Sequence, residues 1–240
     1  MLYISYGAKK SASTFTYLLT RELCRAAGHP DPVIPGEVRG ARGSAVNTVR
    51  DWTPEVVASI EAHVPSAEIA TLRTHVPATP AAVELVTSGR AKHHVGIRDL
   101  RDIAISMMDV ILRQAERGLE KNREIKAGDV SSTLEALQNN VDAITSWADI
   151  PGGPLVRYEN VAFNTRSVLA QIQANLGVFV DEARHDAIID AALSSKNVKI
   201  NAARSNRHRT EMSASDQQLI LDRFSAFYAR FYPDARVDVA

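Results

Sequence analysis

Three observations predict an α/β fold: a three-layer α/β/α sandwich around a central parallel sheet, in P-loop-like form. Strand-type and helix-type segments alternate along the chain, the pattern of a parallel sheet covered on both faces. The first strand-type run, Met1 to Tyr6, enters a helix through a small, lysine-bearing turn, Gly7-Ala8-Lys9-Lys10-Ser11-Ala12-Ser13-Thr14-Phe15. Polar turns recur after later strand-type runs, at Thr74-His75 and Arg98-Asp99, with Tyr158 after a fourth. In such sheets ligands sit at the carboxyl ends of the strands, where these turns lie.

The elements follow in order. Met1–Tyr6 is apolar enough for a buried strand. Thr14–Ala27 carries Phe15, Leu18, Leu19, Leu23 and Ala26 on one helical face and stops at Gly28. Residues 28–51, rich in glycine and proline and holding Arg39, Arg42 and Arg50, read as a long lid or substrate loop. Thr53-Pro54 is an N-cap followed by proline at the first helical position, opening a helix to about His63. Glu68–Arg73 is a second strand, and Thr79-Pro80 starts a helix that Gly89 stops. Lys92–Ile97 is a third strand. A strong helix runs from Leu100 to Arg117, with Ile103, Ile105, Met107, Met108, Val110, Ile111 and Leu112 as its apolar face. Ser132-Thr133-Leu134-Glu135 reads as a capping box for a helix ending near Trp147. Leu155–Tyr158 is a fourth strand. Asn164 caps a helix ending at Gly177, and another runs from about Asp181 to Leu193. Lys196–Arg209 is basic without periodicity. Ser213–Asp216 opens a last helix whose buried stripe is Leu219, Ile220, Phe224, Phe227 and Phe231. One domain over 1–240 is expected, with a helical substrate-side insertion near 115–150.

Composition narrows the function. Lys+Arg and Asp+Glu both number 28, so no general basic excess favours nucleic acid or a membrane surface. The single cysteine, Cys24, allows no intramolecular disulfide framework and fits a reducing, cytoplasmic compartment, as a core or half-buried thiol rather than a nucleophile. No stretch reaches the ~20 apolar residues of a membrane span, and no signal peptide is expected. His93 and His94 are adjacent on a strand and point to opposite faces, so they do not chelate one metal. No His/Cys/Asp set has ligand spacing, and no metal is expected. Trp52 reads as a half-buried anchor or a stacking surface for substrate. Lys121–Lys126 reads as a solvated charge run.

The opening turn points to phosphate chemistry, because loop N–H groups and the positive end of a helix dipole bind anions. It does not fit the common nucleoside-triphosphate loop, Gly-x-x-x-x-Gly-Lys-Ser/Thr: Gly7 lies three residues before Lys10 and no second glycine precedes the lysine.

Four segments, in order, resemble the PAPS-dependent sulfotransferases, whose donor is 3′-phosphoadenosine-5′-phosphosulfate (PAPS) and whose product nucleotide is PAP. Lys10-Ser11-Ala12-Ser13-Thr14-Phe15 resembles that family's 5′-phosphosulfate loop, Lys-Ser-Gly-Thr-Thr-Trp. Arg73-Thr74-His75-Val76-Pro77 resembles its Lys-Thr-His-Leu-Pro segment. Arg98-Asp99-Leu100-Arg101-Asp102-Ile103-Ala104-Ile105-Ser106 resembles its 3′-phosphate motif, Arg-Asn/Asp-Pro-Arg-Asp-x-Ala-x-Ser. Val156-Arg157-Tyr158-Glu159-Asn160 is similar to its strand ending Tyr-Glu-Asp. The resemblance covers residues 1 to about 180 and implies the sulfotransferase fold and sulfuryl transfer from PAPS to a hydroxyl or amine. It implies His75 as base, Lys10 as stabiliser of the transferring group, and Lys10, Ser11, Ala12, Ser13, Thr14, Phe15, Arg98, Ser106 and Tyr158 as donor ligands. Backbone amides of Ser11–Thr14 would hold the 5′-phosphate. Three departures stand out. Ala12 replaces glycine, so a positive φ there is costly. Phe15 replaces tryptophan, and Leu100 replaces proline. The family's late Arg-Lys-Gly segment is absent; Arg204, Arg207 and Arg209 lie where it would be and are its candidate substitutes.

Plainer roles stand beside these. Lys10 reads alternatively as a solvated lysine, Arg98 as an ion-pair partner of Asp102, and Ser106 as a small residue at a helix contact. A divergent P-loop NTPase or small-molecule kinase, and a non-catalytic nucleotide-binding module on the same fold, are the alternative functions. The expected partner is a small-molecule, carbohydrate or lipid acceptor, with a homodimer left open and no nucleic acid.

Overall fold

The computed structural model describes residues 1–30, 32–39, 47–118, 124–196 and 204–238. Arg42, part of the 28–51 loop, the first half of the Lys121–Lys126 run and residues 197–203 of the basic stretch lie outside them. The chain forms two compact units, 1–97 with 143–200, and 98–142 with 201–240.

The first unit holds a five-stranded, all-parallel sheet in the order β2-β3-β1-β4-β5. The strands are β1 (Leu2–Gly7), β2 (Thr48–Val49), β3 (Ala70–Thr74), β4 (Ala91–Ile97) and β5 (Leu155–Arg157). β1 is central, so its six residues are buried on both faces, which explains its largely apolar sequence, with Ser5 as the buried polar exception. In register Tyr6 faces Thr74 of β3 and Gly7 faces Gly96 of β4, which brings three strand ends level.

Residue alternation sends Tyr3 to one face, where α1 (Ser13–Ala26), α7 (Thr165–Leu176) and α8 (His185–Leu193) cover it. Leu18, Leu19 and Leu23 of α1, Leu169 and Ile172 of α7 and Ile188 of α8 form this core layer. Cys24 is buried within it, as expected. The opposite face carries Tyr6, stacked on Trp147 with centroids 5.9 Å apart. Here lie α2 (Pro54–His63) and α3 (Pro80–Thr87), which begin as predicted: Thr53 Oγ1 accepts from Val56 N–H and Thr79 Oγ1 from Ala82 N–H, each before a proline. α7 ends on Gly177 with φ 77°.

Several expectations need correction. The segment 28–51 is not all loop: Thr48–Val49 pairs with β3, and Ile34, Arg39 and Asn47 are buried. Arg39 donates to the carbonyls of Ile34 (2.7 Å) and Thr48 (3.0 Å), so it organises the loop instead of meeting solvent. Trp52 is 1% exposed and donates to Thr74 Oγ1, so it is core and offers no stacking surface. Tyr158 does not extend β5; it opens α6 (Tyr158–Phe163). Asn164 precedes α7 without a side-chain cap. A 3-10 turn, Glu182–Arg184, precedes α8.

The second unit contains α4 (Leu100–Ala115), the first part of α5 (Leu134–Ala148), α9 (His208–Glu211), α10 (Ala214–Arg223) and α11 (Ser225–Phe231). The expected capping box does not form. Asp129 caps a 3-10 turn at Val130–Thr133, and Ser132 Oγ donates to Asp129 O at 2.6 Å. The last helix breaks at Phe224 (φ −117°, ψ 33°), which puts Ile220, Phe224, Phe227 and Phe231 inside but leaves Leu219 exposed. Leu112 likewise faces solvent, because α4 is buried chiefly over its first two turns.

Candidate active site

The turn after β1 is built by close backbone approach. A Cβ on Gly7 would sit 2.5 Å from Ser13 Cβ, and one on Gly96 would sit 3.2 Å from Gly7 Cα. At Gly7 only glycine fits without moving the first turn of α1, while at Gly96 a side chain would press on the backbone of β1. Ala8 N–H donates to Gly96 O (3.0 Å), while Ser11 N–H (3.2 Å) and Ser11 Oγ (2.7 Å) both donate to Ala8 O. Ser11 is therefore committed to the turn, and of the Ser11–Thr14 amides expected at a phosphate its N–H is already used.

Lys10 and Ala12 both adopt the left-handed region, with φ 73° and 60°. Ala12 thus takes the conformation that its residue type disfavours by ~1–2 kcal/mol. The strain is held by the packing of Ala12 and Phe15 against the core cluster. Phe15 is half-buried there. The consequence is a helix start without a cap: no side chain bonds the first turn of α1 and no acidic residue lies in it. By contrast Thr53, Thr79, Asp99 and Ser213 cap α2, α3, α4 and α10. The first N–H groups of α1, at Ser13 and Thr14, and the positive end of its dipole face the turn without a side-chain acceptor.

His75 sits beside this turn. Its Nδ1 lies 2.5 Å from Gly7 O and its Nε2 2.5 Å from Arg73 Nη2. A carbonyl only accepts and a guanidinium only donates, so the tautomer is determined: Nδ1 carries the proton and Nε2 the lone pair. Burial, then the neighbouring Arg73 guanidinium, lower the His75 pKa to about 4; the bond to Gly7 O opposes this and Lys9 adds to it. The imidazole is thus neutral near pH 7, as a base must be. Arg73 was no more than part of a motif in the sequence. Its position on β3, two residues before His75 just past the strand end, is the signal that both lie to one face.

Tyr158 is buried, as the first residue of α6. His93 and His94 do face opposite ways. His93 Nε2 approaches Trp147 O (3.2 Å), and Gly153 leaves room for its ring. His94 lies between Ser5 Oγ (3.0 Å) and Tyr3 OH (3.3 Å). The Ser5–His94 pair is not a nucleophile with its base, since both residues are 1% exposed or less.

In the second unit, Arg98 and Ser106 are both 4% exposed. Arg98 Nη2 contacts Asp102 Oδ2 (3.4 Å) and donates to Arg204 O (3.0 Å), so the ion pair read as its plainer role is present. Burial favours the neutral Asp102 carboxyl, but hydrogen bonds from His208 and the charge of Arg98 outweigh it and hold its pKa below the ordinary value. Arg207 binds Asp109 (2.7 Å) and Glu211 (2.5 Å). Arg209, more than half exposed, reaches Asp238 (3.3 Å). Arg204 is thus brought to Arg98 through its backbone, while Arg207 and Arg209 pair elsewhere. Arg101, not singled out as a site residue, is structural: it bonds Asp99 (2.7 Å) and Arg236 O (2.7 Å) and stacks on Tyr228.

No protein-family model and no curated protein matches the chain. Solved structures do. Retinol dehydratase in complex with androsterone and the inactive cofactor PAP aligns over 98% of this chain and 82% of its own, at 14% identity and TM-score 0.62. The chain has the sulfotransferase fold. The mouse sulfotransferase SULT7A1 complexed with PAP aligns over 97% of this chain and 86% of its own, at 13% identity and TM-score 0.58. Retinol dehydratase with retinol and PAP gives 98% and 82%, at 15% identity and TM-score 0.61. The five parallel strands flanked by helices, expected from the alternating pattern, are the core of this fold. Among the described residues no helix is long and apolar enough to cross a membrane.

Proposed function

We propose that the chain is a PAPS-dependent sulfotransferase acting on a hydroxyl or amine acceptor. The observation that carries the reading is His75, held as the Nδ1–H tautomer by Gly7 O at the head of an anion-binding turn. The turn fits a phosphosulfate group: Gly7 has no room for a Cβ, α1 starts uncapped, and Arg73 has no carboxylate partner among the described residues. PAPS, when bound, supplies an activated sulfuryl group. The amides at the start of α1 and the Ser13 and Thr14 hydroxyls orient its 5′-phosphate, and Lys10 offsets negative charge on the transferring group. His75 Nε2 receives the proton of the acceptor hydroxyl or amine. Arg98 and Ser106 are the residues proposed for the 3′-phosphate, with Arg204, Arg207 and Arg209 as further candidates and Tyr158 beside the adenine.

The test is transfer of [³⁵S]sulfate from PAPS to a panel of acceptors. Small apolar alcohols come first, since the retinol dehydratase complexes hold androsterone and retinol. His75→Ala should abolish transfer and leave PAP affinity nearly intact. A chain stabilised by ATP with Mg²⁺ but not by PAP is instead a divergent NTPase or kinase. PAP binding without transfer to any acceptor makes it a non-catalytic nucleotide-binding module.

A further inference from the structure

The base proposed above is capped by an arginine. Nε2 of His75 is the atom that would take a proton, and Arg73 Nη2 donates to it at 2.5 Å. No acceptor proton can reach a lone pair already engaged by a guanidinium. Yet the partnership is a poor one for the arginine. A guanidinium offers five N–H donors in a planar fork suited to oxyanions. Here it is half-buried, its Nε is buried without a hydrogen-bond partner, and no carboxylate pairs with it among the described residues. Burial lowers its pKa, which marks an under-compensated charge. The other charged group acting on His75 is also cationic, Lys9. Register places Arg73 opposite Ser5 on the face of the sheet that carries Tyr3 and α1, the helix whose uncapped start forms the anion-binding turn.

We propose that Arg73 is a positioning residue with two alternative partners: it caps His75 Nε2 in the arrangement seen here, and it turns to a sulfonate-type oxyanion when one binds at the turn, uncovering the base. The inference rests on the reading of His75 as base. The exchange makes and breaks only hydrogen bonds. It replaces a bond to a neutral imidazole by charge-assisted, bidentate bonds to an anion, which are roughly twice as strong. His75 stays tethered through Nδ1–H to Gly7 O, so its ring keeps the base-competent tautomer while Arg73 leaves. Gly7 O and Arg73 thus divide the work of orienting and releasing one imidazole.

The experiment is ¹H–¹⁵N long-range NMR of the histidine rings in the full chain, with sodium sulfate as probe against sodium chloride at equal ionic strength. In the wild type, sulfate should move the His75 Nε2 resonance while Nδ1 stays protonated. In Arg73→Met, which keeps the apolar stem and removes every donor, the ligand-free Nε2 resonance should already lie near the sulfate-bound position, and sulfate should add nothing. Arg73→Lys, a second variant that keeps the charge, should retain the shift with a sulfate midpoint raised about tenfold, as for one charge-assisted hydrogen bond lost. Overlay of the ligand-free Met variant on the ligand-free wild type, or an equal sulfate shift in all three proteins, overturns the proposal. Turnover is not the readout. A chain that transfers no sulfuryl group yet shows the Arg73-dependent shift fails the proposed reaction and keeps the cap; one that transfers sulfuryl without the shift does the reverse.

Discussion

Gly7→Ala separates the architecture of the turn from general stability. An added Cβ would lie 2.5 Å from Ser13 Cβ and 3.1 Å from Ser13 Cα. Ordinary carbon contacts lie near 3.5–4.0 Å, so about 1 Å of movement is required. Neither atom can swing aside, because both are fixed to the backbone of the first turn of α1. The whole turn must shift, and with it Gly7 O, which holds His75. Overpacking of this kind costs about 1–3 kcal/mol. At ~2–4 °C per kcal/mol for a chain of this size, Tm should fall by roughly 2–12 °C. A misplacement of about 1 Å in a binding constellation costs on the order of 100-fold in function. PAP affinity, measured by calorimetry, should therefore fall at least tenfold. Gly89→Ala is the control. Gly89 has φ 76° with nothing within 4 Å of its would-be Cβ, so alanine there meets only the left-handed penalty of ~1–2 kcal/mol. It should lower Tm comparably and leave PAP affinity unchanged. The reasoning is refuted if Gly7→Ala binds PAP as tightly as wild type, or if Gly89→Ala loses affinity in proportion to its Tm.

Two further predictions follow from the charges. The His75 imidazole titrates near 6.5 in the unfolded chain and about 4 in the folded one, so between these values the unfolded state binds the extra proton. Stability should fall as pH drops from 6.5 towards 4, with no contribution from this group above that window. His75→Gln should flatten the slope in urea titrations at a series of pH values; an unchanged slope would place the acid sensitivity elsewhere, for instance at His94, whose pKa burial lowers to about 3. Arg98→Ala removes one partner of Asp102, which is fully buried but keeps its bonds from His208, so the cost should stay below the ~3–5 kcal/mol of a buried charge left wholly unpaired. The urea midpoint should drop accordingly. If Arg98 also meets the 3′-phosphate, PAP affinity should fall far more than affinity for adenosine-5′-phosphosulfate, and equal losses would refute that role.

The parallel sheet was legible because its strands are apolar runs between helix signals, and two of the helix starts because Thr53-Pro54 and Thr79-Pro80 declare themselves locally. What escaped depended on contacts distant in sequence. The two-residue β2 is too short to carry a period, and it exists because β3 offers it an edge. Arg39 looked like a lid residue and Trp52 was left between anchor and stacking surface, because burial in a loop leaves no pattern in the chain. The capping box failed at Ser132 because Asp129 competes for the same N–H groups from a tighter turn. At the candidate site, the turn and His75 were visible as motifs. The Arg73 cap was not, since nothing in a sequence says which donor an imidazole lone pair will meet.

The distribution of carboxylates bears on where an anion binds. In the second unit four arginines already have their anions: Arg98 has Asp102, Arg101 has Asp99, Arg207 has both Asp109 and Glu211, and Arg209 has Asp238. A phosphate reaching any of them must displace or share a carboxylate, which returns much of the Coulomb gain. In the first unit Arg73 meets an imidazole, and the adjacent helix start has neither an acidic residue nor a capping oxygen. An incoming phosphosulfate there gains charge compensation without losing an ion pair. The free energy of donor binding should therefore come chiefly from the turn at Gly7–Thr14 and from Arg73. The left-handed backbone at Lys10 and Ala12, unfavourable in itself, lies at this same uncapped helix start.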